Sequence, residues 1–352
     1  MPKKRAVFIG TGAIAREHLF AMQFIEEIEV EAVCDLSPAR AESTADRFKI
    51  ARWYSDSNEM LDNTKADFVH ITTPPQSHFA LTKDCLERGL NVICEKPITN
   101  TYEQFQAVRA IAESKGLLLI ENQNFRTQST INRIAGLVDA GELGDVVEAQ
   151  VQVHMNIYAP GSVFMDANVP HWSATMKGGV AGDFITHMTY IAQMFIGGRA
   201  EVATVWKKFA PGAAGPDDEF RAVLKGERAI GYLGFSGNAQ PTGFWLKVIG
   251  TKGQAEANLF EPPRMAVRRL RDGAAPLATL KDGIVEGRDI IGGSLSGLYG
   301  KFSGAARYDG LEEYLRRCYA ALDSRDAAPV TLQQIDDSSR LVAMLYADES
   351  RV

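Results

Sequence analysis

The first 120 or so residues alternate between short apolar runs and longer amphipathic stretches. Ala6–Gly10, Val30–Cys34, Phe68–Thr73, Asn91–Cys94 and Leu117–Ile120 are short apolar runs, most of them rich in β-branched residues, the pattern of strands buried on both faces. Helical spacing fills the gaps: about Ile14 to Glu27, from Ser37-Pro38 onward, about His78 to Arg88, and about Thr101 to Lys115. Ser37 with Pro38 suits a helix start, and Gly89 and Gly116 suit helix stops. Strand–helix alternation of this kind predicts a parallel, doubly wound sheet.

Past Asn124 the pattern changes. One helix is expected from about Thr127 to Ala140, and then Val146–Met155 alternates with period two. Further strand-like runs are Glu201–Phe209, Glu219–Leu224, Ala229–Phe235, Phe244–Ile249, Gln254–Phe260 and Met265–Leu270. Turn signals such as Lys225-Gly226-Glu227 separate them, so a large, mostly antiparallel open sheet is expected. A helix over about Val180 to Ile196 interrupts the series, and Leu311–Leu322 and Ile335–Tyr346 are amphipathic. The Gly/Ser-rich segment Gly283–Gly304 is expected to be a loop. The fold class is therefore α/β, with residues 1–122 as a doubly wound domain. Residues 123–352 form an α+β domain whose uncovered sheet face is a candidate for pairing subunits into a homodimer or homotetramer.

The chain has 352 residues and a net charge of −6, with no dense block of Lys or Arg. That argues against nucleic acid or an anionic membrane as partner. No apolar run approaches the roughly 18 residues of a membrane span, and the start does not read as a signal peptide. A cytoplasmic protein is expected. Cys34, Cys85, Cys94 and Cys318 form no CxxC pair and read as small buried hydrophobes in a reducing compartment.

The first strand runs into Gly10-Thr11-Gly12-Ala13-Ile14-Ala15, a GxGxxG/A pattern that opens a helix. Gly10 permits the turn, Gly12 lets backbone approach a pyrophosphate, and the helix start favours the anion. Asp35 ends the second strand about 20 residues on, where a carboxylate accepts hydrogen bonds from ribose hydroxyls and repels a 2′-phosphate. NAD is expected over NADP. Arg40 folds back over the adenine, meets a phosphate, or is a solvated helix residue. Thr72-Thr73-Pro74, with His78 behind it, and Glu95-Lys96-Pro97 also fall at strand carboxyl ends, as does Asn122–Asn124. Lys96 alone reads as a lysine beside a turn proline; its convergence with the other strand ends makes it a candidate for chemistry.

A second constellation lies in Gly178-Gly179-Val180-Ala181-Gly182-Asp183-Phe184-Ile185-Thr186-His187. Asp183 and His187 are four apart and share a helix face, so the acid can hold one ring nitrogen and leave the other as a base. The alternative is an acid favoured by the helix dipole and a hydrogen-bonded core histidine. The glycines before them permit close approach to a ligand. His18 is expected to pack under the sheet, and His70, within a strand, to be structural. His78 caps its helix or contacts the cofactor. His154 and His171 are candidates for substrate contact, as are Asn156 and Trp172 in or beside the irregular stretch Tyr158 to Trp172. No HxH or HExxH suggests a metal.

Together, Gly10–Ala15, Thr72–Pro75 with His78, Glu95-Lys96-Pro97, and Gly178-Gly179 followed by Asp183 and His187 resemble the Gfo/Idh/MocA oxidoreductases. That family includes inositol dehydrogenase and glucose–fructose oxidoreductase. The resemblance covers nearly the whole chain. It implies a Rossmann domain, a C-terminal domain whose sheet mediates oligomers, a bound nicotinamide cofactor, and a sugar, polyol or related hydroxyl substrate. It implies Lys96, Asp183 and His187 as catalytic residues, a cis Lys96–Pro97 bond, and Asn124 and Arg126 as the family's N-x-R segment, with Phe125 where a second basic residue often stands. The leading expectation is an NAD-dependent dehydrogenase acting on a secondary hydroxyl. Alternatives on the same parts are an enzyme that recycles a tightly bound NAD and a non-catalytic NAD-responsive regulator.

Overall fold

The structure, a computed structural model, describes residues 3–162, 164, 173, 176–209, 217–261, 264–269 and 308–347, plus 280, 283, 284, 287, 288, 290–295 and 298. It divides into two compact units: Met1–Thr127 with Arg307–Ser339, and Gln128–Ala306 with Arg340–Val352.

The first unit is built on six parallel strands: β1 (Lys4–Ile9), β2 (Ile28–Cys34), β3 (Arg52–Tyr54), β4 (Phe68–Ile71), β5 (Asn91–Cys94) and β6 (Leu119–Glu121). Their order is β3-β2-β1-β4-β5-β6, so the direction of winding reverses between β1 and β4. Helices α1 (Ala13–Met22), α2 (Pro38–Phe48), α3 (Ser57–Asn63), α4 (His78–Glu87) and α5 (Tyr102–Lys115) connect the strands. β3 and α3 are too short to stand out in the hydrophobic pattern; α3 exists because the Asp56 carboxylate caps the Asn58 and Glu59 N–H groups. α1 ends earlier than its periodicity suggests. Its tail tightens into three-residue turns, with Phe24 N–H on Ala21 O and Ile25 N–H on Met22 O, which frees Ile28 to begin β2.

The segment Arg307–Ser339, expected in the second domain, lies with the first unit. Its helix α8 (Leu311–Ala320) buries Leu311, Tyr314, Leu315, Cys318 and Tyr319 in the same core as Phe8 and Phe68. The Tyr314 hydroxyl also donates to Glu121 O and accepts from Gln123 N–H, closing the end of β6. All four cysteines are buried and unbridged, and burial aided by Asp35 pushes the Cys34 thiol up to about 11.

In the second unit, α6 (Ser129–Asp139) leads to β7 (Val146–His154), α7 (Gly179–Ile196), β8 (Ala200–Lys207), β9 (Glu219–Gly226), β10 (Ile230–Ser236), β11 (Gly243–Gly250), β12 (Gly253–Asn258) and β13 (Met265–Arg269). The order is β13-β12-β11-β7-β10-β9-β8, with β7 parallel to β10 and the other neighbours antiparallel. α7 covers one face, where Phe184 meets the rings of Phe235 and Phe244. The opposite face exposes Val205, Val223, Ile230 and Tyr232. The last helix, α9 (Leu332–Ala347), begins in the first unit and ends in the second. Residues 283, 284, 287, 288, 290–295 and 298, expected in a loop, are helical. Ile284, Ile291, Leu295 and Leu298 recur there at helical spacing, a signal that the Gly/Ser composition masked. Among the described residues, no helix is long and apolar enough to cross a membrane.

Candidate functional site

In the first unit, the ends of neighbouring strands are laced together in series. Gly10 N–H donates to Cys34 O, Thr72 N–H to Ile9 O, Glu95 N–H to Ile71 O and Asn122 N–H to Cys94 O. The candidate residues at these ends therefore sit along one edge of the sheet, and Gly10 and Thr72 flank its reversal point, where such sheets bind ligands. Gly10 has φ +94, and the space beside it is filled by Thr72 carbonyl atoms and Thr73 Cγ2. Thr72 Oγ1 donates to Gly10 O at 2.8 Å, fixing the turn from the neighbouring strand.

Gly12 differs. A side chain there would meet no atom of the described residues within 4 Å. No side chain caps α1, so the N–H groups around Ala13 and Ile14 are served by no capping side chain. Open space over Gly12 and an uncapped helix start fit a pyrophosphate.

Asp35, expected to take ribose hydroxyls, is already well supplied. One carboxylate oxygen accepts from Thr11 N–H (2.9 Å) and Thr11 Oγ1 (3.0 Å), the other from Ser37 N–H (2.9 Å). Arg40 Nη1 lies 3.6 Å from the carboxylate. Burial raises the Asp35 pKa, but the Ser37 and Thr11 donors and Arg40 outweigh it and hold the carboxyl below its usual range. The carboxylate thus fixes the loop at Thr11 and remains ionised, which keeps a negative charge where a 2′-phosphate would lie.

Lys96 follows β5 in a loop held from several strand ends, with the Lys96–Pro97 peptide cis. His78 Nδ1 lies 2.7 Å from Pro97 O and Nε2 2.8 Å from Thr73 O. Both ring nitrogens face backbone carbonyls, so this histidine ties the Thr73-Pro74 turn to the lysine loop. Burial outweighs those carbonyls and keeps its pKa below the ordinary value. Ile98 N–H donates to Glu121 Oε1 at 2.9 Å, and burial raises the Glu121 pKa. The Glu95 carboxylate takes Asn122 Nδ2 at 2.5 Å and His18 Nε2 at 3.0 Å. Burial raises its pKa, but the His18 and Asn122 contacts and Lys96 bring it below the usual range. His18 and Glu121 were not singled out from sequence as site residues. The available signal was position: Glu121 closes the apolar run Leu117–Ile120 and His18 directly precedes Leu19 and Phe20, so each carries a polar group where burial makes it costly unless it is used. Asn124 is also buried, and its Nδ2 has no partner among the described residues. Arg126, two residues on, donates through Nε to Gln123 Oε1.

In the second unit, Asp183 and His187 lie on α7. The partner seen at His187 Nδ1 is the hydroxyl of the fully buried Tyr190, at 2.7 Å. Asp183 stands four residues before His187 on the same helix, and Tyr190 is a further partner of the ring that spacing did not single out. The glycines before Asp183 serve packing. Gly178 has φ +74 with the Trp206 ring against it, and Gly182 abuts Lys177 O and the Tyr346 hydroxyl. His154 lies on the sheet face away from α7, its ring 4.8 Å from that of Trp245. Asn156 Oδ1 accepts from Tyr158 N–H. His171 and Trp172 lie outside the described residues.

Comparisons with known proteins agree with this architecture. Residues 4–123 match a family model described as "Oxidoreductase family, NAD-binding Rossmann fold". Residues 131–256 match the "GFO/IDH/MocA C-terminal domain". D-apiose dehydrogenase of Paraburkholderia graminis is 28% identical over 213 residues, 60% of this chain and 55% of the relative. D-xylose 1-dehydrogenase (NADP(+)) 2 of Haloferax volcanii is 32% identical over 139 residues, 40% of this chain and 42% of the relative. The chain thus spans about half the length of the curated relatives it matches. Among solved structures, an oxidoreductase from Agrobacterium radiobacter, in complex with NAD+, L-tartaric acid and magnesium, superposes with a TM-score of 0.77 at 19% identity, covering 99% of this chain and 96% of that one. Levoglucosan dehydrogenase in complex with NADH gives 0.69 at 21%, covering 77% of each.

Proposed function

Since the chain belongs to the Gfo/Idh/MocA oxidoreductase family, we propose that it is an NAD-dependent dehydrogenase oxidising a secondary hydroxyl of a sugar, sugar derivative or cyclic polyol. The observation that carries this reading is the lysine loop, held by His78, Glu121 and the Glu95 contacts on the same sheet edge as the open cradle over Gly12. The relatives named for apiose, xylose and levoglucosan support a carbohydrate substrate.

Gly10 to Ile14 would hold the pyrophosphate of the cofactor, and Asp35 and Arg40 would border its adenosine ribose. Thr72, Thr73, Pro74, Glu95 and Asn124 line the nicotinamide half, with His78 fixing the loops. A nicotinamide cofactor held there would supply the hydride acceptor for the substrate carbon. Lys96 donates a hydrogen bond to the reacting hydroxyl oxygen and stabilises its developing negative charge. His187 removes the hydroxyl proton through Nε2, Asp183 favours the resulting imidazolium, and Arg126 and Asn156 contact the remaining hydroxyls. The products are a ketone or lactone, NADH and a proton.

The test is NADH formation across a panel of sugars and polyols. Lys96→Ala and His187→Ala should each lower kcat on the best substrate by about 10²- to 10⁴-fold, the range for a lost acid–base or electrostatic group. If both keep near-normal kcat, the roles are wrong.

A further inference from the structure

Glu95 is the end of a longer chain of buried polar groups that no step above uses. His18 Nδ1 lies 3.3 Å from His70 Nδ1, and His70 Nε2 lies 3.0 Å from the Tyr319 hydroxyl. With His18 Nε2 on Glu95, the series Tyr319–His70–His18–Glu95 runs from α8 through β4 and α1 to the start of the lysine loop. Every member is buried: Tyr319 3% exposed, His70 0%, His18 1% and Glu95 7%. The rings are fixed by packing. Phe8 stacks on His70 at 4.4 Å, and His18 stands perpendicular to it.

Buried rings in this arrangement have one way to satisfy every group. Two groups meet His18 Nε2: the Glu95 carboxylate, which only accepts and calls for hydrogen on that nitrogen, and Asn122 Nδ2 at 3.0 Å, which would donate to a bare one. Asn122 Nδ2 is already spent on Glu95 at 2.5 Å, and the Tyr319 end of the chain decides for hydrogen on His18 Nε2. A neutral His18 then has a bare Nδ1, which needs hydrogen from His70 Nδ1. That leaves His70 Nε2 bare, and it accepts the Tyr319 O–H. All donors then point toward Glu95. In the reverse direction the Tyr319 hydroxyl would have no acceptor among the described residues, and Glu95 would lose a donor. Burial depresses the His70 pKa well below its ordinary value, in keeping with a neutral ring.

We propose that Tyr319, His70 and His18 are a positioning relay, a one-way hydrogen-bond chain that fixes the Glu95 carboxylate, ionised and in one orientation, beside Lys96. α8, which returns to the first unit from far along the chain, thereby acts on the cofactor edge through two rings. The kinetic side of this inference rests on the dehydrogenase reading; its spectroscopic side does not.

The test uses full-length protein with ¹⁵N-labelled histidine. At neutral pH, long-range ¹H–¹⁵N spectra should show His70 as the Nδ1–H tautomer and His18 as the Nε2–H tautomer. Tyr319→Phe should move the resonances of both rings and weaken NAD+ binding about fivefold, the effect of losing one hydrogen bond's worth of orientation. A role confined to packing would leave the His18 tautomer and shifts in place. His70 protonated on Nε2, or on both nitrogens, overturns the relay. So does wild-type NAD+ affinity in a folded Tyr319→Phe protein. Should that variant not fold, the wild-type tautomers decide alone. A protein that oxidises no polyol yet shows both tautomers and the affinity loss would sink the substrate reading and leave the relay standing.

Discussion

Two glycines in one motif should fail in opposite ways when replaced by alanine. At Gly10, φ is +94, and the added Cβ would lie 2.8 Å from Thr72 C, Thr72 O and Thr73 Cγ2. Two of those atoms are backbone in a strand end that cannot give way cheaply. The left-handed conformation costs about 1–2 kcal/mol for a residue with a Cβ. Forcing a methyl into filled space costs about 1–3 kcal/mol more. The sum is about 2–5 kcal/mol, which at about 2–4 °C per kcal/mol lowers the melting temperature by about 4–20 °C. At Gly12, φ is −69 and the Cβ meets no atom of the described residues. The unfolded-chain entropy gained by alanine and the weaker helix cap it makes nearly cancel, so stability changes by less than about 1 kcal/mol. The same Cβ occupies the pyrophosphate cradle, at a cost of about 1–3 kcal/mol, or about 5- to 150-fold in affinity. Thermal melts and calorimetric NAD+ titrations of both variants separate the effects. A Gly12→Ala protein that binds NAD+ within twofold of wild type would refute the cradle. A Gly10→Ala protein that melts like wild type would refute the packing at the strand ends.

The remaining expectations concern Asp35 and Tyr190. The folded-state pKa of Asp35 is lowered, so its contribution to stability is fully present above the unfolded value near 3.9 and is lost as pH falls through the folded value. Asp35→Asn should therefore melt below wild type at pH 7, with the gap closing below about pH 4; a gap that persists or grows in acid contradicts the assignment. Tyr190→Phe removes the hydroxyl at His187 Nδ1, costing about 1 kcal/mol of stability and lowering kcat with little change in the substrate KM, because the ring loses a group that orients it. An unchanged kcat would place the orientation of His187 with other contacts.

The parallel sheet was legible because its strands are buried on both faces, so each reads as an unbroken apolar run whatever its neighbours. β3 and α3 were not, since three strand residues and one helical turn or two carry no period. The position of α8 was hidden for another reason. Amphipathicity says that a helix has a buried face, not which core receives it, and the partners of Tyr314 and Tyr319 lie about 200 residues away in the chain. At the site, the glycine loop, Asp35, Lys96 and His187 could be chosen from residue type and spacing. The hydrogen-bond partners could not. Helical periodicity brings Asp183 to the face of His187, but Tyr190, at the third position on, shares that face as well, and its hydroxyl at Nδ1 emerges only from the packing.

The lysine loop shows why partners matter more than motifs. Glu95-Lys96-Pro97 is three residues long and could be as mobile as any surface turn. Here its backbone and flanking carboxylate are gripped by α1 through His18, by α4 through His78, and by β6 through Glu121 and the adjoining Asn122. The His18 and Asn122 attachments share Glu95 Oε1, while those of His78 and Glu121 act on separate backbone groups. The backbone position of the lysine is therefore set by the sheet as a whole. Catalytic groups supported by neighbours on rigid elements hold their geometry to a fraction of an ångström, whereas a group on a free loop does not. The loss of any single grip should accordingly misplace Lys96 slightly rather than free it, and such a change lowers turnover before it lowers stability.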